Sequence, residues 1–190
     1  MPLDTGMKVI GIDYSMTTPA VTTLADGIVT CHYLTSVKKH QTDYRLSDSF
    51  IIHGSAQHDY HSQEDRFDRI SEWAIRICDI EPDIVIIEDY AMGAKGKVFH
   101  IAENCGLLKH KLWKRRYQFK VIAPTALKKF ACGKGNADKC MMHDAFVATT
   151  GHDLRKVMDN ESKDCGSPVS DVVDSYFLTM FARNAVAITR

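Results

Sequence analysis

The chain has 190 residues, 45% of them apolar, and its 24 Lys and Arg balance 24 Asp and Glu. That length supports one domain with a real core and leaves no room for a second of useful size. A formal net charge of zero argues against a generally basic nucleic-acid protein, although it leaves local patches open.

The six cysteines include no CxxC pair, so neither a zinc ribbon nor a disulfide scaffold is indicated. The start, MPLDTGMK, lacks the basic-then-apolar layout of a signal peptide, and no apolar run approaches the roughly 18 residues of a bilayer span. The expectation is a soluble chain in a reducing compartment with no membrane partner.

In chain order, residues 7–13 (MKVIGID) and 19–25 (PAVTTLA) read as two strands joined by a hydroxyl-rich turn, and GIVTCHYLTS from Gly27 as a third. Their short connections favour an antiparallel meander. Residues 37–64 turn polar and histidine-rich, which suggests a long loop or an added hairpin around FIIHG. His53, His58 and His61 are irregularly spaced there and fit solvated side chains better than a metal site.

Arg66 to Ile80 carries Phe67, Ile70, Trp73, Ala74 and Ile77 at helical spacing, and Glu81-Pro82 stops that helix. DIVIIE, residues 83–88, is a continuously apolar strand of the kind buried on both faces. A helix over 98–116, a buried strand from Tyr117 (YQFKVIA), a helix over 137–149 and another over 169–183 complete the series. This order predicts an α/β fold, a mixed sheet of about five strands flanked by helices. The apolar faces around Trp73, or Leu107 and Leu108, are candidate subunit interfaces.

Asp13 and Glu88 both end apolar strands, at the sheet edge where α/β proteins bind ligands. In SDVVDSYFLTMFA, Asp171 and Asp174 stand at i and i+3, on one helical face. Converging carboxylates would repel one another unless a divalent cation neutralised them. An all-oxygen set suits magnesium or manganese, and two ions about 4 Å apart would clamp the attacking and leaving oxygens of a phosphodiester. Each acid has a plainer reading too: Asp13 as a turn residue, and Asp171 as a first-turn acid beside an N-cap at Ser170.

These segments together resemble the RuvC family of Holliday junction resolvases, within the RNase H-like superfamily. The likeness runs through VIGIDYS, PDIVIIEDYAMG, APTALKKFACGKGNADK and SDVVDSYFLTMFA, in that order along most of the chain. It implies an RNase H-like fold over residues 1–190, with 37–64 as an inserted loop or hairpin. It also implies Asp13, Glu88, Asp171 and Asp174 as catalytic metal ligands, with Lys139 stabilising the transition state and Lys128 nearby. Tyr90 is the aromatic available to enter a junction in the loop after Glu88. Tyr14-Ser15 stands where the family usually carries Pro-Gly, which fits a divergent branch, such as a phage type, better than a close relative of the bacterial enzyme.

Basic residues cluster near the acids. KKFACGKGNADK offers Lys128, Lys134 and Lys139, with glycines for phosphate approach and Asn136 to cap the next helix; GAKGK offers Lys95 and Lys97. KHKLWKRRYQFK interleaves charge with Trp113 and Tyr117, either as a nucleic-acid face or as a solvated helix end over a core of Leu112 and Trp113.

The expected function is a magnesium- or manganese-dependent endonuclease of branched DNA, above all four-way junctions. It would act as a homodimer in the cytoplasm of a bacterial or phage-infected cell. Two alternatives stand beside it: another RNase H-like nuclease acting on hybrids or replication intermediates, or a non-catalytic nucleic-acid-binding module.

Overall fold

The chain's first apolar stretches form an antiparallel meander of β1 (Val9–Asp13), β2 (Ala20–Ala25) and β3 (Ile28–Thr35). Asp26-Gly27 makes the β2–β3 turn, with φ of 50° and 78°, as an Asp-Gly pair does in a tight hairpin. The structure, a computed structural model, describes residues 6–89, 98–160 and 164–189.

The polar segment holds a hairpin of β4 (Asp43–Ser47) and β5 (Phe50–Ala56), and β5 lies parallel to β3. β6 (Ile84–Glu88) runs parallel to β1, and β7 (Phe119–Ile122) parallel to β6. The sheet therefore has seven strands in the order β4-β5-β3-β2-β1-β6-β7, rather than about five. Of the two readings of this segment, a long loop or a hairpin around FIIHG, the hairpin is the one that forms, and its pairing with β3 adds two strands to the sheet; its outward side chains, Asp43, Arg45, His53 and Ser55, are polar and dilute the apolar alternation. β7 is a second correction: it is a partly exposed edge strand, not a buried one.

Helix α1 (Gln63–Cys78) starts where the Ser62 hydroxyl accepts from the Asp65 amide at 3.2 Å, with Glu64 and Asp65 in its first turn. α2 (Val98–Lys114), α3 (Pro124–Cys132), α4 (Lys139–Thr150), the short α5 (Leu154–Val157) and α6 (Val169–Thr189) follow. α3 was not expected. Pro124 opens it at the first helical position, so Lys128 sits on a helix rather than in a loop. Two expected caps also move: Asp138, not Asn136, caps α4, and Ser170 lies inside α6.

Strand alternation divides the core. Ile10, Ile12, Val85 and Ile87 face α1 and α2, together with Ile70, Ile75, Leu108 and Leu112. Val9, Ile84 and Ile86 face α6, α4 and α3, together with Leu127, Phe146, Val173 and Phe177. Leu108 is therefore spent in this chain's own core and is not an interface residue, and the α2 end divides, with Leu112 fully buried and Trp113 67% exposed. Tyr176 of α6 stacks on Phe50 of β5 at 5.7 Å and meets Phe146 of α4 edge-on at 4.9 Å. Those aromatic contacts fix α4 and α6 against each other and against the sheet.

Candidate active site

Alternation places the two strand-end acids. Asp13 shares a face with Val9 and Gly11, and Glu88 with Ile84 and Ile86, so both carboxylates look toward α6. β1 and β6 are adjacent and parallel, with Ile12 opposite Ile87 one step before the acids. α6 packs on β1, β2 and β6. It comes so near β1 that only glycine fits at position 11, where a Cβ would run into the Thr179 amide and the Ser175 carbonyl.

A buried hydroxyl network fixes the helix's register. The Thr22 and Ser175 hydroxyls lie 2.7 Å apart, and Thr179 donates to the Thr22 carbonyl at 2.8 Å. Asp174, beside Ser175, thereby meets Asp13 and Glu88, and one oxygen from each of the three lies within 4.8 Å of the others. Among the described residues this is the one group of His, Cys, Asp and Glu close enough to hold an ion.

Asp171 stands one turn earlier and is nearly buried; its Oδ2 has no hydrogen-bond partner among the described residues, and its Oδ1 lies 3.5 Å from the Ser170 hydroxyl. It adds charge to the cluster without joining the close triad.

The electrostatics are those of an acid cluster held together by the fold. Burial, reinforced by Asp171, Asp174 and Glu88, pushes the Asp13 carboxyl well above its ordinary range against the pull of Lys139. Burial raises Asp174 to about 8, with Glu88 and Asp171 adding to the shift. Burial raises Glu88 to about 7, with Lys128 opposing and Asp171 adding. Asp171 rises only to about 6, because the Ser167 hydroxyl, Lys139 and Ser170 offset its burial.

All four groups bind protons more tightly folded than unfolded, so their stabilising contribution is full below about pH 4 and is lost as pH rises through 6 to 8. The melting temperature of the chelated protein is expected to fall between pH 5 and 8, and magnesium or manganese to restore it at the upper end. A melting temperature indifferent to the divalent ion at pH 8 would remove the basis for a cation site.

The donor set fits such a cation. Hard carboxylate oxygens from three separate elements converge, and Asp171, three residues before Asp174 on α6, keeps an Oδ2 with no hydrogen-bond partner among the described residues. They line a cleft of about 480 Å³ shared with Tyr14, Met16, Arg66, Lys128, Lys139 and Met142.

Of the expected basic residues, Lys128 and Lys139 line this cleft, whereas Lys134 is exposed in the turn between α3 and α4 and is not part of the lining. Tyr90, Lys95 and Lys97 lie outside the described residues. Arg66 is a cationic residue of the cleft that the sequence reading does not single out. It reaches the site through a contact 50 positions away in the chain, with the Met16 carbonyl, which no local pattern reveals.

No protein-family profile matches the chain. Solved structures do. Thermus thermophilus RuvC superposes with a TM-score of 0.57 at 14% identity, over 95% of this chain and 97% of that one. T. thermophilus RuvC in complex with Holliday junction substrate gives 0.53 at 11% identity, over 94% and 96%. Fowlpox virus resolvase, in a complex with substrate Holliday junction DNA, gives 0.50 at 14% identity, over 95% and 99%. The strand order, the helices on both faces and these near full-length superpositions show that the chain has the α/β fold of RuvC.

Proposed function

We propose that this chain is a divalent-cation-dependent endonuclease of branched DNA, resolving four-way junctions as a homodimer through a single nuclease domain. The observation that carries the reading is the meeting of Asp13, Glu88 and Asp174 at one sheet edge, in a cleft that also holds Lys128 and Lys139. Its RuvC-like fold, shared with two proteins solved on Holliday junction DNA, supports the substrate.

Asp13, Glu88 and Asp174, with Asp171 three residues before Asp174 on α6, would hold magnesium or manganese, as one ion or two. Bound there, the cations supply Lewis acidity for attack on a phosphodiester and for departure of its 3′ oxygen. The chain's own residues do the rest. The carboxylates keep their ligand oxygens converged without moving, because β1, β6 and α6 are rigid elements. Lys139 and Lys128 bring ammonium groups to the cleft, where they offset phosphate charge and steer the strand toward the acids. A four-way junction needs two symmetric cuts, and a twofold dimer presents two such clefts.

Cleavage of labelled four-way junction, flap, linear duplex and RNA–DNA hybrid in magnesium or manganese tests the reading. The expected result is paired nicks in the junction, with linear duplex cut at least about tenfold more slowly, a discrimination of roughly 1.4 kcal/mol. Equal cutting of linear duplex overturns the junction claim, and preference for the hybrid selects a different RNase H-like activity. No metal-dependent cutting of any substrate leaves a binding module.

A further inference from the structure

Resting on that reading, we infer that Arg66 forms a second phosphate subsite, on the α1 wall of the cleft, which holds the nucleic-acid backbone beside the phosphate being cut. Lys128 and Lys139 reach the acids from α3 and α4, on one face of the sheet. Arg66 enters the same cleft from α1, on the other face. A polyanionic strand crossing the edge between β1 and β6 therefore meets cations on both sides of the carboxylates. The acids repel a phosphate on their own, so charge on both walls is what such a strand requires.

The guanidinium is held but not neutralised. Its Nη2 donates to the Met16 carbonyl at 2.5 Å, in the turn that follows Asp13, and its carbon lies 4.8 Å over the Tyr60 ring. Gln57 donates to the same carbonyl at 3.0 Å, which fixes the turn. Among the described residues no carboxylate lies within ion-pair distance of Arg66, and its buried Nε has no acceptor. Arg69, one turn on, differs: its Nε donates to Asp65 at 2.6 Å. An arginine fixed in place, lining an acidic cleft and paired with no carboxylate is preorganised for an anion that the protein does not supply, and its planar fork matches a phosphate.

The test measures junction binding against salt concentration in an Asp13→Asn background, which removes cutting, and steady-state cleavage in the otherwise native chain. Arg66→Gln is expected to weaken binding about tenfold and to lower the slope of log K against log salt by about 1. Arg66→Lys keeps the charge and should recover most of the slope. Arg69→Gln, outside the cleft, should leave it unchanged. In cleavage, Arg66→Gln should raise KM more than it lowers kcat.

An unchanged salt slope in Arg66→Gln overturns the subsite even if cleavage drops, because a purely structural arginine would cost stability without removing a phosphate contact. Melting temperatures of both Arg66 variants separate that outcome from misfolding, and Arg66→Lys alone decides the matter if Arg66→Gln does not fold: the slope then holds only if charge is what counts. A chain that binds DNA but never cuts it overturns the nuclease reading while the slope still judges Arg66, and a chain that binds no DNA overturns both.

Discussion

Asp174→Asn is expected to lower metal-dependent cleavage by about 10³-fold, because a cation's stabilisation of the transition state is worth several kcal/mol and each 1.36 kcal/mol is tenfold. Asp174 is the acid that ties α6 to the two strand-end carboxylates, and without it the close triad becomes a pair. The same substitution should raise the melting temperature of the chelated protein at pH 8. Asp174 is held near neutrality by burial and by repulsion from Glu88 and Asp171, so its ionised form opposes folding there. Asparagine removes that repulsion and keeps the shape.

Magnesium or manganese, which should stabilise the native chain, should stabilise the variant much less. The two readouts move in opposite directions, toward a more stable apoprotein and a dead enzyme, which no general folding defect produces. Asp13→Asn and Glu88→Gln should behave alike, whereas Asp171→Asn, outside the close triad, should lose less activity. Full cleavage by Asp174→Asn would dismiss the site.

The acids were legible in the sequence for a simple reason. VIGID and DIVIIE each put a carboxylate at the end of an apolar run, where strand alternation fixes the face and the sheet edge fixes the place. The i, i+3 pair of SDVVD is equally local, and the meander follows from short connections and from Asp26-Gly27. What stayed hidden depends on tertiary context. Residues 37–64 read as either a loop or a hairpin, because polar outward residues dilute the strand period of β4 and β5, and their place in the sheet beside β3 comes only from pairing. α3 lies in a lysine- and glycine-rich stretch whose composition suggests a loop, and its one buried residue, Leu127, gives no periodicity to read. YQFKVIA looks like a core strand because its apolar residues suit either a central or an edge position, and pairing alone makes it an edge. Arg66 looked like the start of an amphipathic helix, and its reach to Met16 exists only once α1 has packed against the sheet.

Gly11→Ala tests whether the site depends on how closely α6 approaches β1. Pairing within the sheet holds β1 between β2 and β6, and the atoms a Cβ would strike are the α6 backbone at Thr179 and Ser175 and the Leu178 Cβ, none of which a side-chain rotation moves. The helix must move. Overpacking of this kind costs about 3 kcal/mol. For a chain of this size that lowers the melting temperature by roughly 6–12 °C. Activity should fall further than stability explains, because Asp174 rides on α6 while Asp13 and Glu88 stay on the strands. A displacement of about 1 Å between such groups is enough to cost roughly 10²-fold in rate. The comparison is Gly106→Ala, on α2, where a Cβ meets nothing within 4 Å. There the helix should gain about 0.5–1 kcal/mol and cleavage should be unchanged. If Gly11→Ala melts and cuts as the native chain does, α6 does not set the spacing of the acids. If it folds, binds DNA and yet neither binds manganese nor cuts, the spacing between helix and strand is what makes three carboxylates a cation site.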